Sequence, residues 1–390
     1  MGWSKVIPRI TGVVTGGSRT ASFEQGLSAP DGSPGRILLS RLSWLPVVLI
    51  GLAFGLSFSG RAEALTRCLI CHGKPSFSKT LPSGRTISLH VDEKQLKESV
   101  HAGRSCTDCH SDITAIPHKG EVKRVGCVRC HFKGNPVGAP QTDIYVEYTK
   151  SVHGVAAAAG NVKAPVCQDC HGNHNIRRPK DPASQMHKGH IPETCGRCHL
   201  TAFSDYRESA HWRAFQQGKR DSAVCTDCHG EHTIRAHESP ESSTYITRVP
   251  ETCSRCHASV AVVGKYGIKT EQVATYGRSY HGVAIKFGGK TVANCASCHG
   301  VHEIRPSDDP KSAVYVDNIP KTCGKCHTGA NTNYSKGKIH VDPTKKEAGL
   351  VYWVSLFFKW LTISTMVGLI GHIGLDLFHR VRRRGQAHTP

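Results

Sequence analysis

Residues 167–174 read Cys167-Gln168-Asp169-Cys170-His171-Gly172-Asn173-His174, and the pattern of the first five, Cys-x-x-Cys-His, occurs nine times in the 390-residue chain. The other eight copies begin at Cys68, Cys106, Cys127, Cys195, Cys225, Cys253, Cys295 and Cys323. The second cysteines of all nine copies are Cys71, Cys109, Cys130, Cys170, Cys198, Cys228, Cys256, Cys298 and Cys326. The sequence has eighteen cysteines, so no thiol is left over. Such a pentapeptide is an attachment site for a c-type haem. Two thiols add to the vinyl groups, and the adjacent imidazole takes one axial position on the iron. The proximal histidines are then His72, His110, His131, His171, His199, His229, His257, His299 and His327. A zinc ribbon pairs two cysteine couples per metal and has no use for a histidine after every second cysteine. An exported disulfide scaffold would not hold the two-residue spacing nine times.

Composition agrees with this reading. The 277 residues from Leu65 to Val341 carry nine motifs, about 31 residues each. Aromatic residues are 7% of the chain, against 39 glycines and 20 prolines. That leaves little for an apolar core, so the expected fold is mostly short α-helices and irregular loops wrapped around nine covalently bound haems. Folding should depend on the cofactors, as it depends on metal in small metal domains. The formal charge is +20. Haem propionates offset most of it, and no RNA-binding motif or compact basic run occurs mid-chain, so nucleic acid is not an expected partner.

The haem region repeats. Tyr148-x-x-Ser-x-His153, Tyr206-x-x-Ser-x-His211 and Tyr276-x-x-Ser-x-His281 each precede a pair of motifs. In each pair the first motif continues Gly-x-His-x-Ile, ending at Ile176, Ile234 and Ile304. The second is introduced by Pro-Glu-Thr-Cys195, Pro-Glu-Thr-Cys253 and Pro-Lys-Thr-Cys323. The offset from His153 to His211 equals that from Cys167 to Cys225, and the next step repeats the agreement. This gives diheme modules at 148–205, 206–275 and 276–345. A degenerate module at 96–147 lacks the Gly-x-His signature, and a lone-haem segment, 65–95, stands before it.

Sixteen of the 25 histidines are not proximal. The repeat singles out His101, His153, His211 and His281, each after a Ser-x pair, and His174, His232 and His302 after the first motifs. His90, His118 and His340 complete ten candidates for nine distal positions; Leu89-His90-Val91-Asp92 is echoed by Ile339-His340-Val341-Asp342. His187, His190 and His237 are less regular and read as surface residues. An iron held by two histidines passes electrons and offers no open position. His174 cannot reach the iron bound by His171 from across the plane, so it is expected to serve a neighbouring haem and staple two modules together.

The two ends differ from the middle. Residues 1–64 read as a leader and signal peptide: a basic flank at Arg41, an apolar run from Pro46 to Phe58, and Ala62-Glu63-Ala64 as a cleavage site. Residues 350–379 read as a transmembrane helix with Tyr352, Trp353 and Trp360 for the interface. The tail, 380–390, contains Arg380, Arg382, Arg383 and Arg384. The positive-inside rule places that tail in the cytoplasm and the haem region in the periplasm of a bacterial inner membrane. Ionisable residues within a span are functional candidates. His372, with Asp376 one turn on, is a candidate ligand for a b-type haem shared with a partner, a quinone contact, or one side of an interhelical hydrogen bond.

The Ser-Val-His-Gly, Cys-x-x-Cys-His-Gly-x-His-x-Ile and Pro-Glu-Thr-Cys pattern resembles the multihaem cytochrome c families of respiratory bacteria, including the doubled Cys-x-x-Cys-His and cytochrome c3-like groups. The resemblance covers residues 65–342. With the carboxy-terminal anchor, the chain looks like the c-type subunit of a quinone-linked membrane complex. That implies an integral b-type cytochrome partner, the quinone pool and periplasmic redox proteins. Two other readings stand beside electron transfer. One is a multihaem reductase or dehydrogenase of a small nitrogen or sulfur compound, which needs an open haem. The other is an outer-surface conduit, which the arginine-flanked helix disfavours, because outer-membrane proteins span as barrels. Intact mass of the purified protein should exceed the polypeptide by nine haems. A deficit of one haem, lost on alanine substitution of Cys68 and Cys71 together, is expected for that variant.

Overall fold

The computed structural model describes residues 67–386, except 119, 121 and 338. The leader, the signal peptide with its Ala64 cleavage site, and residues 387–390 lie outside the described residues. Up to residue 349 the described helices are of nine residues or fewer, the longest being Val249–His257. Helices this short are marginal alone in water and need tertiary partners. One antiparallel hairpin, Ser78–Thr80 with Thr86–Ser88, is the sheet found among the described residues, with Lys79 opposite Ile87. The fold is therefore mainly helical, as the composition suggests.

The structure assigns a task to each recurring residue. The serine of Ser-x-His starts a helix. The Oγ atoms of Ser151, Ser209 and Ser279 accept from the N–H groups of Gly154, Trp212 and Gly282 at 3.1, 3.1 and 3.2 Å. These are N-caps, which satisfy donors that the first turn leaves unpaired. They begin the helices Val152–Ala158, Ala210–Gln216 and Tyr280–Lys286, with the histidine as second residue. The tyrosine three residues before each serine reaches forward. The hydroxyls of Tyr148, Tyr206 and Tyr276 donate to the carbonyls of Pro165, Ala223 and Ala293 at 2.9, 2.8 and 3.0 Å. Each accepting residue lies two positions before the first cysteine of the module, so the tyrosine fixes where the motif begins.

The threonine of Pro-x-Thr-Cys acts similarly on the second motif. The hydroxyls of Thr194, Thr252 and Thr322 donate to the carbonyls of Gln185, Ser243 and Ala313 at 2.9, 2.6 and 2.6 Å. Proline sits in the first turn of the helices Ile191–Gly196, Val249–His257 and Ile319–Gly324. Its missing N–H is no loss there. Inside the first motifs, the Asp169 and Asp227 carboxylates accept from the N–H groups of Val166 and Val224 at 2.7 and 2.8 Å. An insertion in module 206–275, Val260–Val263 and Gly264–Tyr266, accounts for the longer offset to module 276–345.

Modules join by a repeated backbone contact. The N–H groups of Val100, Val152 and Ala210 donate to the carbonyls of Ile176, Ile234 and Ile304 at 2.8, 2.9 and 2.7 Å. The residue before each distal histidine thus grips the isoleucine that closes the next module's Gly-x-His-x-Ile loop. A charge pair sits beside two of these joints. Arg177 bonds Glu98, and Arg305 bonds Glu208 at 2.9 Å. Arg305 is almost fully buried, with Glu303 at 2.8 Å and Asp309 at 3.2 Å as further partners. Next to Ser151 the chain has Lys150, and Arg235 turns instead to the Lys150 carbonyl and to Glu241. At the last joint the signs are exchanged: Arg278 bonds Asp342 at 2.9 Å.

The side-chain core is small. Ile191, Phe215 and Val224 form one cluster, with Met186, Cys195 and Cys225 against it. The 37-residue helix Leu350–Gln386 ends the described chain, seven residues past the expected boundary at 379. None of its apolar window is buried against the rest of the protein. Tyr206→Phe should destabilise the holoprotein by about 1–2 kcal/mol, because the Ala223 carbonyl loses its donor; guanidinium unfolding followed by far-ultraviolet circular dichroism would measure it.

Candidate functional site

Each proximal histidine faces one other histidine ring. His72 faces His118 with ring centres 6.1 Å apart, and His131 faces His101 at 6.0 Å. His110 faces His174 at 6.2 Å, and His199 faces His153 at 6.1 Å. His171 faces His232 at 6.1 Å, and His257 faces His211 at 6.2 Å. His229 faces His302 at 6.0 Å, His327 faces His281 at 6.0 Å, and His299 faces His340 at 6.3 Å. Two imidazoles on opposite sides of one iron, with metal–nitrogen bonds of about 2 Å, place their ring centres about 6 Å apart. The slots therefore have the width of a bis-histidine haem. Of the ten distal candidates, nine stand opposite a proximal ring. His90 stands opposite none; its N–H bonds Ser88 Oγ at 3.3 Å.

The pairing follows one rule. The second motif of each pair takes its facing ring from its own module's Ser-x-His. The first motif takes it from the module that follows. His110, His171 and His229 meet His174, His232 and His302 of the next repeat, and His299, which has no later module within the described residues, meets His340 in the tail of its own. The lone first motif obeys the same rule, since His72 meets His118 in the module after it. The glycine after the first motif of the three regular modules makes this possible. Gly172, Gly230 and Gly300 have φ of 83°, 80° and 89°. That left-handed backbone is open to glycine at no cost. At Gly172 an added Cβ would also lie 2.5 Å from Asn175 Oδ1. The chain reverses there and carries the next histidine away from its own motif.

Metal ligands must be neutral, and burial favours that form at ten of these rings. Burial lowers the pKa of His101, His110, His153, His171, His174, His229, His257, His299 and His340. His211, the most enclosed, is pushed down to about 4, by burial first and by His257 second. Some ring orientations are fixed through the other nitrogen. His72 Nδ1 lies 2.7 Å from the Leu89 carbonyl, and His340 Nδ1 lies 3.2 Å from Thr275 Oγ1. A hydrogen bond at Nδ1 leaves Nε2 for a metal. His110 Nδ1 is buried without a partner. His187 is half-buried and His190 exposed, their rings 5.9 Å from each other, while His237 is exposed beside Glu238.

The thiols line up in chain order. Cys106 is raised to about 11, by burial first and then by Cys68. The thiols of Cys127 and Cys167 share a hydrogen bond that raises Cys127 and, as its largest cause, lowers Cys167 to about 6. Cys195 and Cys225 form a similar couple, as do Cys253 and Cys295. Between these couples the links continue: Cys130 acts on Cys109, Cys195 on Cys170, Cys253 on Cys228 and Cys323 on Cys298. Consecutive attachment sites are thus neighbours from the first motif to the ninth. One continuous cavity of about 4550 Å³ is lined by the cysteines and histidines of the first eight motifs. That is roughly 570 Å³ per motif, within the range of small-molecule sites. The ninth motif, with Cys326 and His327 exposed, lies outside it.

Thiols, neutral rings, slot width and cavity fit a covalently held haem at these motifs, and they define a multihaem c-type cytochrome. Residues 97–309 match the family described as outer membrane cytochrome MtrC/MtrF-like, domains II/IV. The match covers more than half of the chain, which belongs to that family. No curated protein and no solved structure matches the chain. The matched stretch holds the second to the eighth motif; the first and ninth lie outside. The cross-module rule could have been read from the Gly-x-His spacing, but which histidine meets which needed the fold. His118→Ala should convert one low-spin ferric centre to high spin by electron paramagnetic resonance, whereas His90→Ala should leave the spectrum unchanged.

Proposed function

We propose that this protein is a nonahaem electron carrier anchored in the bacterial inner membrane. Its haem region lies in the periplasm and its carboxy terminus in the cytoplasm. When bound, each haem supplies a one-electron Fe(III)/Fe(II) couple. The chain's own residues do the rest. The cysteines would hold consecutive haems in sequence order, and each pair of facing imidazoles would leave its iron no open position for a substrate. The residues that would hold each iron are His72/His118, His110/His174, His131/His101, His171/His232, His199/His153, His229/His302, His257/His211, His299/His340 and His327/His281. One observation carries the reading: among the described residues, no proximal ring lacks a facing ring. Electrons would run between the quinone pool, through an integral b-type cytochrome subunit, and periplasmic redox proteins.

The membrane end supports the anchoring. The helix Leu350–Gln386 is about 55 Å long at 1.5 Å per residue, more than the hydrocarbon core requires. Within it Asp376 bonds Arg380 at 2.9 Å, one turn away. That leaves His372 and His379 for a partner helix, including a b-type haem shared at His372. The family description favours a second reading, attachment at the outer membrane. The arginine-rich end of a single helix favours the inner one. Density-gradient separation of the two membranes decides between them.

The enzymatic alternative, reduction or oxidation of a small nitrogen or sulfur compound, requires an exchangeable axial position. The oxidised, detergent-solubilised protein should give low-spin ferric signals alone. After reduction it should bind no carbon monoxide. One carbon monoxide per chain with a matching high-spin signal would make the enzyme reading the better one.

A further inference from the structure

The helix that presents His281 to His327 carries an exposed apolar stripe. Tyr280, Val283 and Phe287 are 81%, 42% and 84% exposed. At spacings of three and four residues they share one helical face. The internal repeat supplies the comparison. The same positions are Ala210, Arg213 and Gln217 in the preceding module, and Val152, Val155 and Ala159 in the one before. The large aromatic residues occur only in the module that leads into the long helix.

The helix Glu271–Arg278, which leads into the Tyr280–Lys286 helix, is tied to the segment before the long helix. Lys345 Nζ bonds Glu271 Oε1 at 2.5 Å, and Arg278 bonds Asp342 at 2.9 Å. From Lys345 to Leu350 the chain spans at most about 18 Å when fully extended, and the 3-10 turn Lys346–Ala348 shortens it. The Glu271–Lys286 region therefore lies near the point where the span begins. Lys286, Lys290, Lys321, Lys325, Lys336 and Lys346 lie in the same module and its tail. Basic residues there match the negative surface of a bilayer, and tyrosine suits its interface.

We infer that Tyr280, Val283 and Phe287 seat the last module in the lipid headgroup layer of the membrane that holds the helix, placing the ninth haem site at the membrane surface. The ninth motif, outside the shared cavity, is then the end of the haem series that faces membrane-borne donors or acceptors. This deepens the anchored-carrier reading and rests on the helix spanning a bilayer.

The test is hydrogen exchange by mass spectrometry on the full-length holoprotein, in detergent and in nanodiscs containing phosphatidylglycerol. Peptides covering 278–290 should exchange several-fold more slowly in nanodiscs, while the equivalent 208–220 should not change. The triple variant Tyr280→Ala, Val283→Arg, Phe287→Gln installs the preceding module's residues, which that module already folds with. It should keep all its haems, still embed, and lose the protection at 278–290. Unchanged exchange at 278–290 in embedded wild type, or retained protection in the triple variant, overturns the inference and leaves the anchor standing. Failure to enter nanodiscs at all overturns both.

Discussion

Nine pairs of imidazole rings stand about 6 Å apart, across slots the width of a bis-histidine haem. The chain is arranged to create those slots. Serine caps aim one ring, tyrosine and threonine hydroxyls fix the loops that aim the other, and positive-φ glycines send a third back to the preceding module. The ordinary apolar core is correspondingly slight, centred on Ile191, Phe215 and Val224. What a globular protein does with leucine and phenylalanine is left here to the flat apolar faces of the cofactors.

The cross-module rule makes the array cooperative. A first-motif slot is complete only when the following repeat is docked, through the isoleucine carbonyl contact and the charge pair beside it. Each repeat therefore contacts its neighbours and little else, as in solenoid proteins. The ends of such an array need caps. At the carboxy end, His340 and Asp342 stand in for the missing repeat. Asp342 meets Arg278 with the charge signs of the earlier joints exchanged. At the amino end, the lone motif has its facing ring in His118 and no second motif of its own.

Much of this was legible in the residues. Eighteen cysteines in nine identical spacings, histidines at repeated offsets and one apolar run near the end pointed to the cofactor class and to a long apolar helix before any coordinates. The tyrosine, isoleucine and threonine of the repeat were visible as recurrences, but their tasks were not. A hydroxyl that donates to a carbonyl seventeen residues on leaves no local pattern to read.

Chain order along the motifs, and therefore the order of neighbours, became clear only in three dimensions, because it depends on which thiols approach each other across separate helices. The same holds for the choice among ten distal histidines. Sequence offset gives a histidine the chance to face a ring, and His90 and His340 have nearly the same local sequence. His340 meets His299 because Asp342 and Lys345 tie its segment to the last module. At His90 the following Asp92 is spent capping the short helix Glu93–Lys97. Composition pointed to an interior built around cofactors; tertiary contacts decided which two histidine rings face each other.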